Sequence, residues 1–294
     1  MTETTEQQWT IKRLLDWTTE FFNRVDADSP RLEAEVLLAA ALNCARIELY
    51  TQFNQVPAAE PMAKFRQWVK QRAEGEPVAY IVGYREFYSL RFAVNSQVLI
   101  PRPETEHVVV AALEAAKKIA DRPLRVLDIG TGSGCIAITL AKYLTDCKIA
   151  ATDLSPGAIE IAALNAESHG VTDKIRFFQG DLFAALPAGS GAVHLIVSNP
   201  PYIGTREVDT VERQVKDFEP KMALFAGEQG TDVIARLVAD APARLLPGGF
   251  LIFETSPVIM EACLKLVAQQ DMELVEVVKD LAGLKRVVVA RKPG

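Results

Sequence analysis

Cysteine and histidine are scarce, four and three in 294 residues. Cys44, Cys135, Cys147 and Cys263 form no C-x-x-C pair and have no nearby histidine to complete a metal site. That argues against a structural zinc and against a disulfide framework, and leaves reduced thiols of a cytoplasmic protein as the expectation. No apolar run approaches the roughly 18 to 20 residues that cross a bilayer. The opening residues carry Glu3 and Glu6 where a signal peptide would be basic, so a cytosolic chain without membrane contact is expected. Basic residues are also in deficit: Lys plus Arg number 32 against 38 Asp plus Glu, a net charge of -6 spread along the chain. A protein that gains its affinity by neutralising phosphates would show the opposite balance. What is abundant is apolar residue, 49%, enough to bury the core of one large or two modest domains.

The first 80 residues carry helical periodicity. Within 9–25, Ile11, Leu14, Leu15, Thr18, Phe21 and Phe22 fall on one stripe. A second helix is predicted after Ser29 as cap and Pro30 in the first turn, running to Leu42, and a third over 61–73. Trp9, Trp17 and Trp68 all lie here and are read as core of a small helical bundle.

Near residue 84 the period changes from about 3.6 to about 2. The runs 87–94 and 98–100 predict a short hairpin, read as a connector between domains. Beyond Leu124, short apolar runs at 125–129, 148–152, 174–178, 193–197 and 250–253 alternate with helical patterns, and two more follow at 273–278 and 286–290. Such alternation predicts a mostly parallel sheet with helices on both faces. Only a short link joins the last two runs, too short for a crossover helix, so one antiparallel strand is expected in a sheet of seven. The expected division is 1–82 as a helical bundle, 83–103 as the hairpin connector and 104–294 as an α/β domain.

Chemistry concentrates at the ends of the first four strands. Asp128 and Ile129 run into Gly130, Thr131, Gly132, Ser133 and Gly134, ahead of an apolar helix. Such a turn lets a ligand approach the backbone and offers free N–H groups at a helix N-terminus. It departs from the dinucleotide fingerprint, because the third glycine comes one residue early and an acid precedes the first. An acid there suits a cationic or hydroxyl-bearing ligand better than a pyrophosphate. Asp153 closes the second run, where an acid can bind both ribose hydroxyls, and Asp181 follows the third, where it can accept from an adenine amine. Three acids beside one glycine loop suit S-adenosylmethionine, a sulfonium cation without phosphate. The fourth run enters Asn199, Pro200, Pro201 and Tyr202. Prolines stiffen this loop. The Asn199 oxygen and the Pro200 carbonyl present two acceptors to a planar –NH2 group, with Tyr202 placed to stack on it. No metal site is expected. His169 and His194 are read as structural, and Cys135 as a small packing residue.

The Asp-Ile-Gly-Thr-Gly-Ser-Gly loop together with Asn-Pro-Pro-Tyr resembles the class I S-adenosylmethionine-dependent N-methyltransferases. The segments 83–92, 98–106 (Val-Leu-Ile-Pro-Arg-Pro-Glu-Thr-Glu) and 219–224 narrow the resemblance to the peptide-chain release factor glutamine methyltransferase family (PrmC/HemK). That resemblance covers nearly the whole chain. It implies a Rossmann-like α/β fold with a small N-terminal helical domain for substrate recognition, and class 1 release factors as partner, methylated on the Gly-Gly-Gln glutamine. It places the cofactor on Asp128, Gly130, Thr131, Gly132, Ser133, Gly134, Asp153, Asp181, Leu182 and Asn199, and the substrate on Asn199, Pro200, Pro201 and Tyr202. Leu182 stands where relatives often carry an aromatic residue, Ser89 replaces a usual hairpin glycine, and no function is carried onto the loop after Glu254. A monomer is expected. Other readings are a glutamine methyltransferase of a ribosomal protein, a DNA adenine N6-methyltransferase, and a module that binds S-adenosylmethionine without turnover. The DNA reading needs a basic face and a target-recognition region that the sequence lacks.

Overall fold

The computed structural model describes residues 8–25 and 27–294, which form two compact units divided after Gly83. The first unit holds five helices among its described residues: α1 Ile11–Arg24, α2 Pro30–Leu42, α3 Arg46–Thr51, α4 Ala59–Ala73 and α5 Val78–Val82. Thr10 caps α1 by accepting from Arg13 N–H at 3.3 Å, and Ile11, Leu14, Leu15, Thr18 and Phe22 are buried along its stripe. Ser29 precedes α2 but makes no side-chain cap bond, so Pro30 alone marks that start. A largely buried ion pair between Arg72 and Glu33 (2.7 Å) ties α4 to α2.

Of the three tryptophans, Trp9 and Trp68 are partly buried and pack against this unit's core, and Trp17 lies outside it. Trp17 is 49% exposed and stacks on Phe21 at 5.3 Å, with Trp9 edge-on to it, while Phe22, Leu15, Leu37, Leu38, Leu49 and Phe65 fill the interior. A stripe about 100° wide leaves no room for an indole at position 17, one residue outside it.

The second unit opens with a hairpin of β1 Tyr84–Phe87 and β2 Leu90–Ala93. Its turn lies at Tyr88 and Ser89, both with positive φ (50° and 60°), the geometry of a two-residue turn that matches strand twist. The turn therefore falls inside the run predicted as one strand, and residues 98–100, predicted as its partner, form no strand. The hairpin, read from sequence as a connector, buries Phe87 and Phe92 in the core of this second unit.

After α6 Glu106–Lys117, a sheet of seven strands is built from β3 Leu124–Ile129, β4 Cys147–Asp153, β5 Ile175–Gln179, β6 Val193–Ser198, β7 Leu245–Glu254, β8 Glu273–Lys279 and β9 Lys285–Arg291. The order is β5-β4-β3-β6-β7-β9-β8. All neighbours pair in parallel except those of β9, which runs antiparallel to both β7 and β8. The expected seven-stranded α/β sheet with one antiparallel strand is thus the fold. Alternate residues split its faces: Val126, Leu195 and Ile252 pack under α6 and α7 Cys135–Tyr143, whereas Leu127, Ile196 and Leu251 pack under α11 Asp232–Arg244 and α12 Met260–Ala268. The remaining helices of this unit are α8 Pro156–Ser168 and the short α9 Arg213–Phe218 and α10 Lys221–Leu224. The chain builds β3, β4 and β5 outward on one side of β3, then crosses to β6 on the other. This reversal opens a crevice at the C-terminal end of β3, where such sheets bind ligands.

Candidate active site

A cavity of about 260 Å³ lies in that crevice, near the lower end of small-ligand sites. Gly130, Thr131, Gly132, Ser133, Asp153, Asp181, Leu182, Asn199 and Pro201 line it, so the loops after β3, β4, β5 and β6 converge on one space. Residues 97–99 and Pro101 also reach its wall, as do Ala223, Val233 and Arg236.

Asp128 sits beneath the glycine loop, wholly buried. Its Oδ2 accepts from Thr131 Oγ1 at 2.7 Å and from Ala137 N–H at 3.2 Å. Burial pushes its carboxyl up to about 7, opposed by those two bonds. The sequence-based reading of this acid as a ligand contact therefore gives way to one in which it braces the loop and the start of α7. Gly134 likewise faces protein: at φ +82° it precedes α7, and a Cβ there would lie 2.8 Å from Ile138 Cδ1 and 3.2 Å from Ala162 Cβ. Glycine at this position lets α7 and α8 approach.

Asp153 accepts from Gly132 N–H through Oδ2 (2.8 Å) and from Ser155 N–H through Oδ1 (2.9 Å). Burial raises its carboxyl above the usual range, and those backbone donors oppose the rise. Asp181 is half exposed and paired with Arg236 at 2.6 Å. Leu182 adopts φ 45° beside it and packs toward the α11 side of the sheet.

Asn199 leaves β6 with its Nδ2 donating to Thr105 Oγ1 at 2.9 Å. Thr105 Oγ1 in turn donates to Glu254 Oε2 at 2.6 Å, and the Tyr202 hydroxyl donates to Glu254 Oε1 at 3.0 Å. Thr105 and Glu254 are each 1% exposed, and burial raises the Glu254 carboxyl. Tyr202 is held by this bond and packed against the second sheet face, and the same burial raises its phenol. Of the four loop residues, Asn199 and Pro201 line the cavity.

Thr105, Glu254, Arg102, Glu219 and Gly230 were not singled out by sequence reasoning, although three of them stand in segments that carried the family resemblance. Buried Glu219 accepts from Arg102 Nη2 at 2.5 Å and from Ile100 N–H at 3.2 Å, which fastens residues 100–102 to the end of α9. Gly230, at φ +78°, packs behind the Tyr202 loop so closely that a Cβ would lie 2.4 Å from the Tyr202 carbonyl oxygen.

The histidines serve structure. His194 Nδ1 accepts from Arg125 N–H at 2.9 Å, which leaves its Nε2 proton for Asp121, and His169 Nε2 bonds the Arg91 carbonyl. Burial pushes the Cys135 thiol up to about 12, the behaviour of a packing residue.

The donor set suits a cationic, phosphate-free nucleoside ligand. Ser133 Oγ and Thr152 Oγ1 are buried without protein partners on residues that line the cavity, and the acids Asp153 and Asp181 flank an apolar wall of Leu154, Leu182 and Val233. Among the described residues, no group of three His, Cys, Asp or Glu side chains is placed to hold a metal ion.

Residues 13–83 match the family model of the PrmC N-terminal domain, and residues 107–218 that of the methyltransferase small domain. The release factor glutamine methyltransferase of Rhodopirellula baltica is 46% identical, the alignment covering 99% of this chain and 100% of that protein. Its counterpart from Koribacter versatilis is 44% identical over 97% and 99%. Among solved structures, the 16S rRNA N2 G1207 methyltransferase of T. thermophilus, in complex with AdoMet and guanosine, aligns at TM-score 0.51 and 19% identity over 71% of this chain and 49% of that one. At that identity the likeness speaks to the fold.

Proposed function

The chain belongs to the family of release factor glutamine methyltransferases, and we propose that it methylates the side-chain amide nitrogen of the Gly-Gly-Gln glutamine in class 1 peptide-chain release factors. The cofactor is S-adenosylmethionine, which when bound supplies a methyl group on a cationic sulfonium.

One observation carries the reading: Asn199 shares a cavity with the glycine loop and has its amide nitrogen committed to Thr105, so its oxygen is the amide atom left for a ligand. An amide –NH2 is a weak nucleophile, because its lone pair is delocalised into the carbonyl. Two acceptors, Asn199 Oδ1 and the Pro200 carbonyl, would take both amide protons, aim the nitrogen and favour its pyramidalisation. Positioning and electrostatics of this kind dominate where no strong base is at hand. Pro201 shapes the wall beside them, and Tyr202, anchored through its hydroxyl, keeps the loop in register. A glutamate in the same place would set carboxylate oxygens against acceptors, at about 1–3 kcal/mol for each buried group left unpaired.

Gly130, Thr131, Gly132, Ser133, Asp153, Asp181 and Leu182 are assigned to the cofactor, with Asp153 at the ribose and Leu182 against the adenine. Asp128 and Gly134 hold the loop in shape. The helical unit before Gly83 is assigned to recognition of the release factor. The protein acts as a cytoplasmic monomer on a protein substrate, in keeping with a net charge of -6 and with described residues that hold no helix long and apolar enough to cross a membrane.

Purified protein with labelled S-adenosylmethionine, offered a class 1 release factor, ribosomal protein or duplex DNA, tests the partner. Label is expected on the release factor, and label confined to DNA or to the ribosomal protein would contradict the assignment.

A further inference from the structure

We propose that Glu254, acting through Thr105, fixes which end of the Asn199 amide faces the substrate, and thereby sets the preference of the site for an amide over a carboxylate. The inference rests on the reading of Asn199 as the substrate clamp.

The argument is one of hydrogen-bond direction. Glu254 accepts at both carboxyl oxygens, one from the Thr105 hydroxyl and one from the Tyr202 hydroxyl, so neither hydroxyl proton is left for Asn199. Thr105 spends its single hydroxyl proton on Glu254 Oε2 at 2.6 Å, and its oxygen is then an acceptor for the next group in line. The Asn199 atom beside it at 2.9 Å must therefore be the –NH2 end, and Oδ1 is turned away from Thr105. Reversing the Asn199 amide would set two acceptors against each other within a site where Thr105 and Glu254 are almost wholly buried. Such a loss costs about 1–3 kcal/mol, enough to hold one orientation. The other carboxylate oxygen takes the Tyr202 hydroxyl in the same sense, so one buried acid sets the polarity at both ends of the Asn-Pro-Pro-Tyr loop. Bonds in such a chain polarise one another, which strengthens the bias.

Glu254 lies behind the cavity wall and Thr105 on it, and both are positioning residues because they act through the Asn199 amide. They come from distant parts of the chain, the end of β7 and the turn before α6, and meet only in the folded protein.

The test uses the full-length enzyme with a release factor carrying either glutamine or glutamate in its Gly-Gly-Gln motif, the glutamate form being scored as an inhibitor. Thr105→Val keeps the shape and removes the hydroxyl, freeing Asn199 to rotate. The expected result is a kcat lowered roughly tenfold, S-adenosylmethionine affinity within about twofold of wild type, and a narrowed ratio of glutamine to glutamate binding. Thr105→Ser, which restores the hydroxyl, should recover most of the loss. Glu254→Gln, which exchanges an acceptor for a donor, should narrow the ratio in the same direction and serves as the second variant should Thr105→Val not fold. A wild-type ratio in variants that bind the cofactor normally would overturn the relay, whatever happens to kcat. Asn199→Ala separates the two ideas: retained kcat in that variant would overturn the clamp itself, whereas loss there with a wild-type ratio in Thr105→Val would overturn the relay alone.

Discussion

The backbone N–H of Gly132 donates to Oδ2 of Asp153 at 2.8 Å, so the acid that closes β4 holds the glycine loop after β3 in its curved form. The other oxygen of Asp153 takes the Ser155 N–H at 2.9 Å. Asp153→Asn would turn an –NH2 group toward one of these donors, leaving a mismatch worth about 1–3 kcal/mol. S-adenosylmethionine should bind roughly tenfold weaker or worse, as read by titration calorimetry. Unchanged affinity would remove Asp153 from the cofactor site.

Asp128 makes a pH-dependent contribution to stability. Its carboxyl is pushed up to about 7 in the folded protein by burial, while the unfolded chain titrates near the ordinary carboxylate value. Between about pH 4 and pH 7 the folded state keeps a proton that the unfolded state has released. Stability from this group is therefore full at the acidic end, falls as pH rises through that window, and is level above it. Roughly three units at about 1.4 kcal/mol each give a span of roughly 4 kcal/mol. Denaturant titrations of the cofactor-free protein across this range should show a shallower decline in Asp128→Asn than in wild type. Parallel profiles would contradict the assignment.

Ser89 occupies a left-handed turn position at φ 60°, which costs an L residue about 1–2 kcal/mol relative to glycine. Ser89→Gly relieves that strain and gives back part of it as freedom in the unfolded chain. A gain of about 0.5–1 kcal/mol is expected, seen as a higher denaturant midpoint at unchanged slope. A lower midpoint would mean that the Ser89 hydroxyl does more for the turn than its backbone strain costs.

The strands of the sheet were legible because each is an apolar run bounded by turn residues, and β9 was legible as antiparallel because the link before it is short. The hairpin was misplaced because its turn uses Tyr88 and Ser89, which carry no turn signature, while the apolar run at 98–100 imitates a strand. Indole size suggested a core role for all three tryptophans; Trp9 and Trp68 do pack against the core, whereas Trp17 falls outside the α1 stripe and stays exposed. The glycine loop and Asn199 announce themselves because their chemistry is local. Thr105 and Glu254 do not: a buried carboxylate met by two hydroxyls exists only once segments 149 residues apart are joined. Asp128 shows the converse, a residue whose type and place were plain but whose side chain turns into the protein.

The central claim is that this site methylates an amide nitrogen, and mass spectrometry of the release-factor peptide containing Gly-Gly-Gln tests it most directly. After incubation with the enzyme and S-adenosylmethionine, the glutamine should gain the mass of one methylene on its side-chain nitrogen, and the gain should vanish with Asn199→Ala or with glutamate in place of the glutamine. A methyl group found on another residue of the peptide, or one that persists on the glutamate form, would contradict the account.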